Sequence, residues 1–574
     1  MIKKRGHTLF LLSCTAILFL SLCSVSFAQP AGAKAGAVGQ QLEQRKAAYK
    51  PFPKEETLFK LERPEQEFSY PEDLRVFIKE IQLSGNSVVS DQELKQITSK
   101  YEGRELSFKE LKDMTASLEK IYHDRGYFLA SVYLPEQEIQ YGILKIVILE
   151  GKLGKVLVKD NKFYNQEFIR KHFHADRKGV IHYAEFVKSL MLLNENTDCE
   201  VRATLVKGKE RGTSDIVLSV KDKLPLHLSY GFNNFGSRYI SKRRNDFSIS
   251  YNNLVAAGDT LAFRLVYGDP FNRLKFAHGE YGWFLNSYGT KLRFSYDWLE
   301  FDSGRELRQF LAAGKSKIYS VDITHPLIRN RNTNTDLGLG FDYKQVYDYL
   351  MGETNSNDQL RVLKLKFKFD HLDNFSGRSY LLGMVSFGFK DIMGALRKDD
   401  VWSSRLGAGG EFQKINLAFV RVQKMPFSSY MILKADGQYA SDDLTVPEEM
   451  AIGGADSVRG YPQSEYLGDQ GYEVTLELRV PPPFVGNTKI PFLGKRIKDV
   501  VQVIGFIDNA GVYYKHYSVG EQRHQQLTGA GAGLRFNLPW DITARVDCGF
   551  PVGSTEPSDG ANAHVYFEIS KKLF

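Results

Sequence analysis

From residue 224 onward, large apolar residues alternate with small or polar ones. Leu226-His227-Leu228-Ser229-Tyr230-Gly231-Phe232-Asn233 follows this rule, as do Leu363-Lys364-Leu365-Lys366-Phe367-Lys368-Phe369-Asp370 and Ile542-Thr543-Ala544-Arg545-Val546-Asp547-Cys548-Gly549-Phe550. A strand points successive side chains to opposite faces, so each run predicts a strand with one apolar and one wet wall. Such runs recur to the C-terminus, giving about sixteen strands, an even number within the range of membrane barrels. Asp302-Ser303-Gly304, Asn330–Asn334 and Gly352–Asn357 supply turns between them. A soluble sandwich would also bury one face of each strand. The charge on the polar walls (Lys364, Lys366, Lys368, Arg545, Asp547) favours a water-filled lumen instead. This phase places Cys548 towards lipid. In the last strand Val565, Phe567, Ile569 and Leu573 are out of phase with the terminal Phe574, which predicts a bulge near Lys571-Lys572.

Ahead of this region the pattern is mixed. Val76–Leu83 reads as a strand closed by Gly85-Asn86, and Ser90 with Glu93 and Ser107 with Glu110 read as capping boxes opening two helices. Leu111, Met114, Leu118, Ile121 and Tyr122 share one helical face, and Gly126 supplies a left-handed stop. Strands follow at Phe128–Leu134 and Tyr141–Leu149, so the order is β-α-α-β-β. The plan then repeats: a strand at Val156–Lys159, a short helix from Asn165, a longer one at Tyr183–Asn194, and strands at Cys199–Val206 and Asp215–Lys221. Further upstream, residues 29–50 are small and polar with a helix expected around Val38–Tyr49, though composition alone fits a disordered N-terminus equally well. Pro51, Pro53, Pro64 and Pro71 mark residues 51–72 as a linker.

Composition sharpens this picture at three points. Lys3, Lys4 and Arg5, an apolar stretch from Leu9 to Cys23 and the small-x-small site Ser26-Phe27-Ala28 read as a secretory signal. A membrane anchor is the alternative, for which the stretch is short, and Leu22 before Cys23 is too bulky for a lipoprotein signal. No later apolar run is long enough for a spanning helix, so the exported chain is periplasmic, secreted or a barrel. Cys14 and Cys23 leave with the signal; Cys199 and Cys548 remain, with no disulfide framework or metal spacing. The net charge of +8 falls by three, to +5, without Lys3, Lys4 and Arg5, and gives no argument for nucleic acid. Phosphate-loop, nucleophile-elbow and zinc-protease motifs are absent from the sequence, and its 12 histidines lack metal-ligand spacing, so neither an enzyme nor a cofactor is expected.

The chemistry concentrates in one long segment, residues 442–470, between strands at Ser428–Ala440 and Gly471–Val480. It contains Gly453-Gly454-Ala455-Asp456-Ser457-Val458-Arg459-Gly460-Tyr461. In the next strand Val501, Val503 and Ile507 face lipid, so Phe506 and Asp508 face the lumen. An arginine on an infolded loop would meet that aspartate in a charge-assisted pair. Removing one partner of a fully buried pair costs ~3–5 kcal/mol. Gly529, Gly531 and Gly533 alternate on a nearby strand and leave room for the loop. The letters Arg125-Gly126-Tyr127 recur elsewhere, as a helix stop, so the signal lies in the position of the motif.

On these residues the chain resembles the two-partner secretion transporters (TpsB, the ShlB/FhaC/HecB type) of the BamA superfamily. Val458, Arg459, Gly460 and Tyr461 match the tip of the family's infolded loop. Phe506 and Asp508 match its inner-wall motif, although Asn509-Ala510 sets the following glycine one place late.

The resemblance implies α+β periplasmic POTRA domains followed by a transmembrane antiparallel barrel of about 16 strands. The divisions expected are 1–28 signal peptide, 29–72 N-terminal helix and linker, 73–151 first POTRA domain, 152–222 second POTRA domain and 223–574 barrel. The implied function is secretion of a TpsA-like exoprotein, of haemolysin or adhesin type, across the outer membrane. Outer-membrane lipid, periplasmic chaperones and the barrel-assembly machinery are the other partners implied. A barrel-assembly factor of the same superfamily, a passive porin and a secreted enzyme are the rival functions.

Overall fold

The computed structural model describes residues 29–43, 59–61, 75–175, 178–195, 198–255, 258–517 and 522–573. The signal at 1–28, the linker prolines and Phe574 lie outside them. A 3-10 turn (Ala31–Ala33) leads into helix α1 (Ala35–Glu43), which begins three residues earlier than expected; 44–49 of the predicted helix lie outside the described residues.

The linker was expected to hold no regular structure, yet Phe59–Leu61 forms strand β1. Its Phe59 ring sits 5.3 Å from Phe186 and 5.9 Å from Phe128, and this ring packing, with main-chain pairing to residues 203–205, holds the three residues extended.

The first α/β unit contains β2 (Arg75–Ile78), β3 (Glu80–Ser84), α2 (Asp91–Thr98), β4 (Arg104–Ser107), α3 (Phe108–Asp124), β5 (Ser131–Tyr133) and β6 (Ile143–Leu149). Two expectations fail here. The single strand Val76–Leu83 is broken at Lys79, because the amides of Lys79 and Glu80 both bind the Gly142 carbonyl. Its first half pairs with β4, a strand the sequence reading missed, and its second half runs parallel to β6. Ser90 caps α2 without a side-chain hydrogen bond, because Glu93 is drawn to Arg125 at 2.5 Å instead of closing a capping box. At Ser107 and Glu110 the box does form, and Leu111, Met114, Leu118 and Tyr122 of α3 are buried in the core. Gly126 ends the helix with φ +88°.

The second unit has β7 (Lys152–Lys159), α4 (Gln166–Lys171), α5 (Tyr183–Leu193), β8 (Cys199–Lys207) and β9 (Thr213–Asp222). Its sheet order is β1-β8-β9-β7, so the linker strand supplies one edge, parallel to β8. Burial in this core pushes the Cys199 thiol up to about 12, which keeps it inert.

This unit is docked on the barrel. Asn253 donates to the Phe163 carbonyl at 2.9 Å, His174 bonds Ser287 at 2.8 Å, and Glu195 meets Lys291 at 2.9 Å and Arg329 at 2.6 Å. Burial alone would raise the Glu195 carboxyl, but the two cations outweigh it and hold the group at about 2.

Sixteen antiparallel strands then close into a barrel, from β10 (Leu226–Asn233) to β20 (Ser429–Ala440) and from β23 (Gln470–Val480) to β27 (His564–Lys572). The seam pairs β10 with β27 over Ser229–Asn233. Pairing runs through Lys571 and Lys572 without a shift, so the bulge expected there is absent. Leu365, Val546 and Ile569 point outward and exposed, whereas Asp547 points inward and is buried. Cys548 therefore faces the lipid side and stays free, as does the buried Cys199.

Candidate functional site: the plugged lumen

The loop between β20 and β23 folds back into the barrel. A short hairpin, β21 (Met450–Ile452) with β22 (Tyr466–Gly468), carries the tip inward. There the structure brings together every site residue named from sequence. The Arg459 Nε and Nη2 donate to the two Asp508 carboxylate oxygens at 2.8 and 2.9 Å, a fork-to-fork pair, and the Arg459 amide adds a third bond at 3.1 Å. The Phe506 ring lies under the guanidinium, 3.4 Å from its centre. Val458 packs with Ile452, Tyr461, Ala510, Val512 and Leu527. Tyr461 is fully buried and donates to the Thr555 carbonyl at 3.0 Å. Gly460 is required twice: its φ is +110°, and a Cβ would stand 2.7 Å from the Phe550 carbonyl carbon.

The wall is shaped for this tip. A Cβ at Gly529 would collide with the Arg459 carbonyl, and one at Gly549 would lie 2.7 Å from the same residue. Gly531 makes room for the Phe506 ring. The late glycine after Asp508 has no effect on register, since β24 (Val501–Tyr513) pairs unshifted with both neighbours.

Sequence reasoning missed the other half of the acid set. Glu477 accepts from Arg459 Nη1 at 3.0 Å, and Asp547 lies 3.7 Å from it. Arg535 then ties Asp547 at 2.5 Å. Strand phase alone puts Glu477 on the inner wall, but nothing in phase says which luminal acid a loop arginine will choose. Tyr566 was missed as well: its hydroxyl accepts from the Gly460 amide at 3.3 Å and donates to the Tyr461 carbonyl at 2.6 Å.

Helix α1 is a second plug. Ala35, Val38 and Leu42 are buried against Val266, Leu274, Phe276, Leu299, Phe301 and Val346, an apolar patch on the inner wall. Its small residues are a fit requirement, as a Cβ on Gly36 would stand 2.6 Å from the Pro447 nitrogen. Asp348 accepts from the Ala35 amide at 2.8 Å at the helix N-terminus, and Arg264 donates to the Leu42 carbonyl at 2.7 Å at the other end. Both charges oppose the helix dipole favourably. Between helix, loop tip and wall remains a cavity of about 340 Å³, lined by Leu42, Asp456, Arg459, Glu477 and Arg479 among others.

Comparison with known proteins places this arrangement. Residues 212–536 match the haemolysin secretion/activation protein family ShlB/FhaC/HecB, and residues 76–151 match the ShlB-type POTRA domain. The chain belongs to the ShlB/FhaC/HecB family. It is 22% identical to the heme/hemopexin transporter protein HuxB of Haemophilus influenzae (strain 86-028NP), over all of both chains. It is 20% identical to the outer membrane transporter CdiB of Dickeya dadantii, over 83% of this chain and 82% of the relative. Among solved structures, CdiB from Escherichia coli superposes with a TM-score of 0.74 at 18% identity, covering 96% of this chain and 100% of that one.

As a ShlB/FhaC/HecB protein the chain is an outer-membrane transporter rather than an enzyme, of the class that works with a secreted exoprotein, and its POTRA units stand in the periplasm. That fixes the sidedness of the barrel. The turns touching Phe163, His174 and Glu195 are periplasmic, and the infolding loop enters from outside. Its root is held by further buried ion pairs, Arg405 with Asp469 at 2.5 Å and Glu448 with Lys344 and Lys414 at 2.8 and 2.5 Å.

Proposed function

We propose that this transporter captures one unfolded exoprotein, of haemolysin or adhesin type, on its two POTRA domains, 73–151 and 152–222, and passes it outward through the lumen after helix α1 withdraws. The observation that carries the reading is the helix: a plug of small residues, threaded inside the barrel and continuous in sequence with the strand on the second POTRA sheet. An extended client adds to an exposed sheet edge through main-chain hydrogen bonds. On β8 that edge is already taken by Phe59–Leu61. A client using it displaces the linker, and the linker is the chain that leads back to the plug.

The loop tip stays in this account, with Val458, Arg459, Gly460 and Tyr461 locked on Phe506 and Asp508, so that the wall keeps its shape while the helix leaves. With no nucleotide motif in the sequence, the driving force is client capture and folding outside. Periplasmic chaperones deliver the client unfolded, and the barrel-assembly machinery inserts the transporter.

Deleting residues 73–222 tests the reading. The expected result is an inserted barrel that no longer binds the exported protein lost from the medium when the gene is removed. Client binding retained by the truncated barrel would contradict it, and loss of correctly inserted barrels instead of an exported protein would point to an assembly factor.

A further inference from the structure

Periplasmic turns of such barrels are short, yet residues 481–500, between β23 and β24, form a built hairpin. Ile490 donates to the Lys495 carbonyl at 2.9 Å, Ile497 to Thr488 at 3.0 Å and Lys498 to Gly486 at 2.9 Å. This framework holds Phe484 and Phe492 in the open, 104% and 91% exposed. Phe484 does so with φ +65°. The same device recurs in the neighbouring periplasmic turns, where Phe427 (φ +59°) and Trp540 (φ +64°) are also strongly exposed. Among the described barrel residues these three are the aromatics with left-handed backbone, and all three lie at this end. A bulky residue there is strained where glycine or asparagine would not be. Rings left so largely in solvent repay little of that strain from within the chain.

Position and charge identify the occupant. The strands that border the 481–500 hairpin, β23 and β24, have 11 and 13 residues, close to one tilted crossing of the hydrocarbon core. Their connecting turn therefore emerges at headgroup level, directly below the outward-facing Leu476, Leu478 and Ile507. The hairpin carries Lys489, Lys495, Arg496 and Lys498 against the single acid Asp499. Exposed aromatics flanked by cations match the interface of a bilayer with anionic headgroups.

We propose that the 481–500 hairpin, with the tips at Phe427 and Trp540, is a foot seated in the periplasmic leaflet and selective for anionic phospholipid. It would anchor the barrel through turns other than those on which the second POTRA domain docks.

The full-length protein in nanodiscs, carrying Phe484→Trp or Phe492→Trp, provides the test. Brominated phosphatidylcholine with bromine near the headgroup end of the acyl chain should quench most of the added emission, and more strongly when phosphatidylglycerol is included. Replacing Lys489, Lys495, Arg496 and Lys498 by Gln should remove the phosphatidylglycerol dependence, while the barrel keeps its heat-modifiable mobility. Added emission that bromine leaves untouched would overturn the proposal. So would a photo-reactive residue at 484 that captures the exported client in place of lipid.

Discussion

The lumen holds two plugs, and they are held by different physics. Helix α1 buries Ala35, Val38 and Leu42 on an apolar wall patch and donates one amide to Asp348. Burial of its two larger side chains contributes about 1.5–3 kcal/mol each. Pulling them out takes one amide from Asp348 and one carbonyl from Arg264, but leaves Arg264 its ion pair with Asp246. The loop tip presents Arg459 to Asp508, Glu477 and Asp547, each at most 3% exposed. Withdrawing it leaves Asp508 without its counter-ion, at a cost of ~3–5 kcal/mol, while Glu477 and Asp547 keep Arg479 and Arg535. A plug held by apolar contacts and neutral hydrogen bonds, such as those of Gln40 and Gln41 to the Pro447 and Phe235 carbonyls, can slide; a charge lock resists. The difference assigns motion to the helix and permanence to the loop.

The contrast can be broken from the loop side first. Arg459→Ala should give the largest effect, opening the loop to external protease and sharply lowering client export, while the barrel still inserts. Arg459→Lys should rescue only part, since an ammonium cannot make the fork-shaped pair. Gly529→Val attacks the same contact from the wall, and overpacking of this kind costs about 1–3 kcal/mol, so a weaker version of the same defect is expected in the same protease assay.

On the helix side, deleting residues 29–43 should lower the thermal transition of the barrel moderately, in proportion to the apolar wall it uncovers, and raise its conductance in planar bilayers. A large loss of stability there would erase the distinction between the plugs.

The smallest effect concerns the contact between the second POTRA domain and the barrel. Burial, here between the rings of Phe168 and Phe284, holds the His172 imidazole below its usual value, with His174 and Lys291 adding to the shift against a bond to the Phe168 carbonyl. A base depressed in the folded state favours the docked form above its unfolded value of about 6.5 and loses that advantage as pH falls below it. Distance measurements between the second POTRA domain and the barrel should therefore show loosening between neutral pH and pH ~5. His172→Phe should flatten the response.

Much of this was legible beforehand. Alternation in strands reports which wall a residue faces, so Phe506 and Asp508 were placeable, and a long loop carrying Arg459 followed by an inward acid was enough to pair them. The glycines at 529, 531 and 533 were readable as missing side chains. Other features were not, for reasons that are physical. The apolar patch under α1 lies on the inner wall, where Phe276 and Phe301 look like any barrel aromatic until something covers them. Phe59–Leu61 is too short to show a period, and its order comes from rings distant in sequence. The break at Lys79 depends on the Gly142 carbonyl. The missing box at Ser90 reflects a competing ion pair from Arg125, which no local pattern reveals.

The central claim is that the helix leaves while the loop stays. Gly39→Cys with Leu299→Cys, bridged by a short disulfide-containing bis-maleimide, would staple helix to wall, since a Cβ at 39 lies 3.9 Å from the Leu299 Cδ2 methyl. Val458→Cys with Leu527→Cys, bridged in the same way, would staple the loop to the wall within their shared apolar cluster. The measurement is client export before and after reduction of each staple. The account predicts that the oxidised helix staple blocks export and reduction restores it, whereas the loop staple has little effect. Full export through a barrel with the helix stapled in place would contradict it.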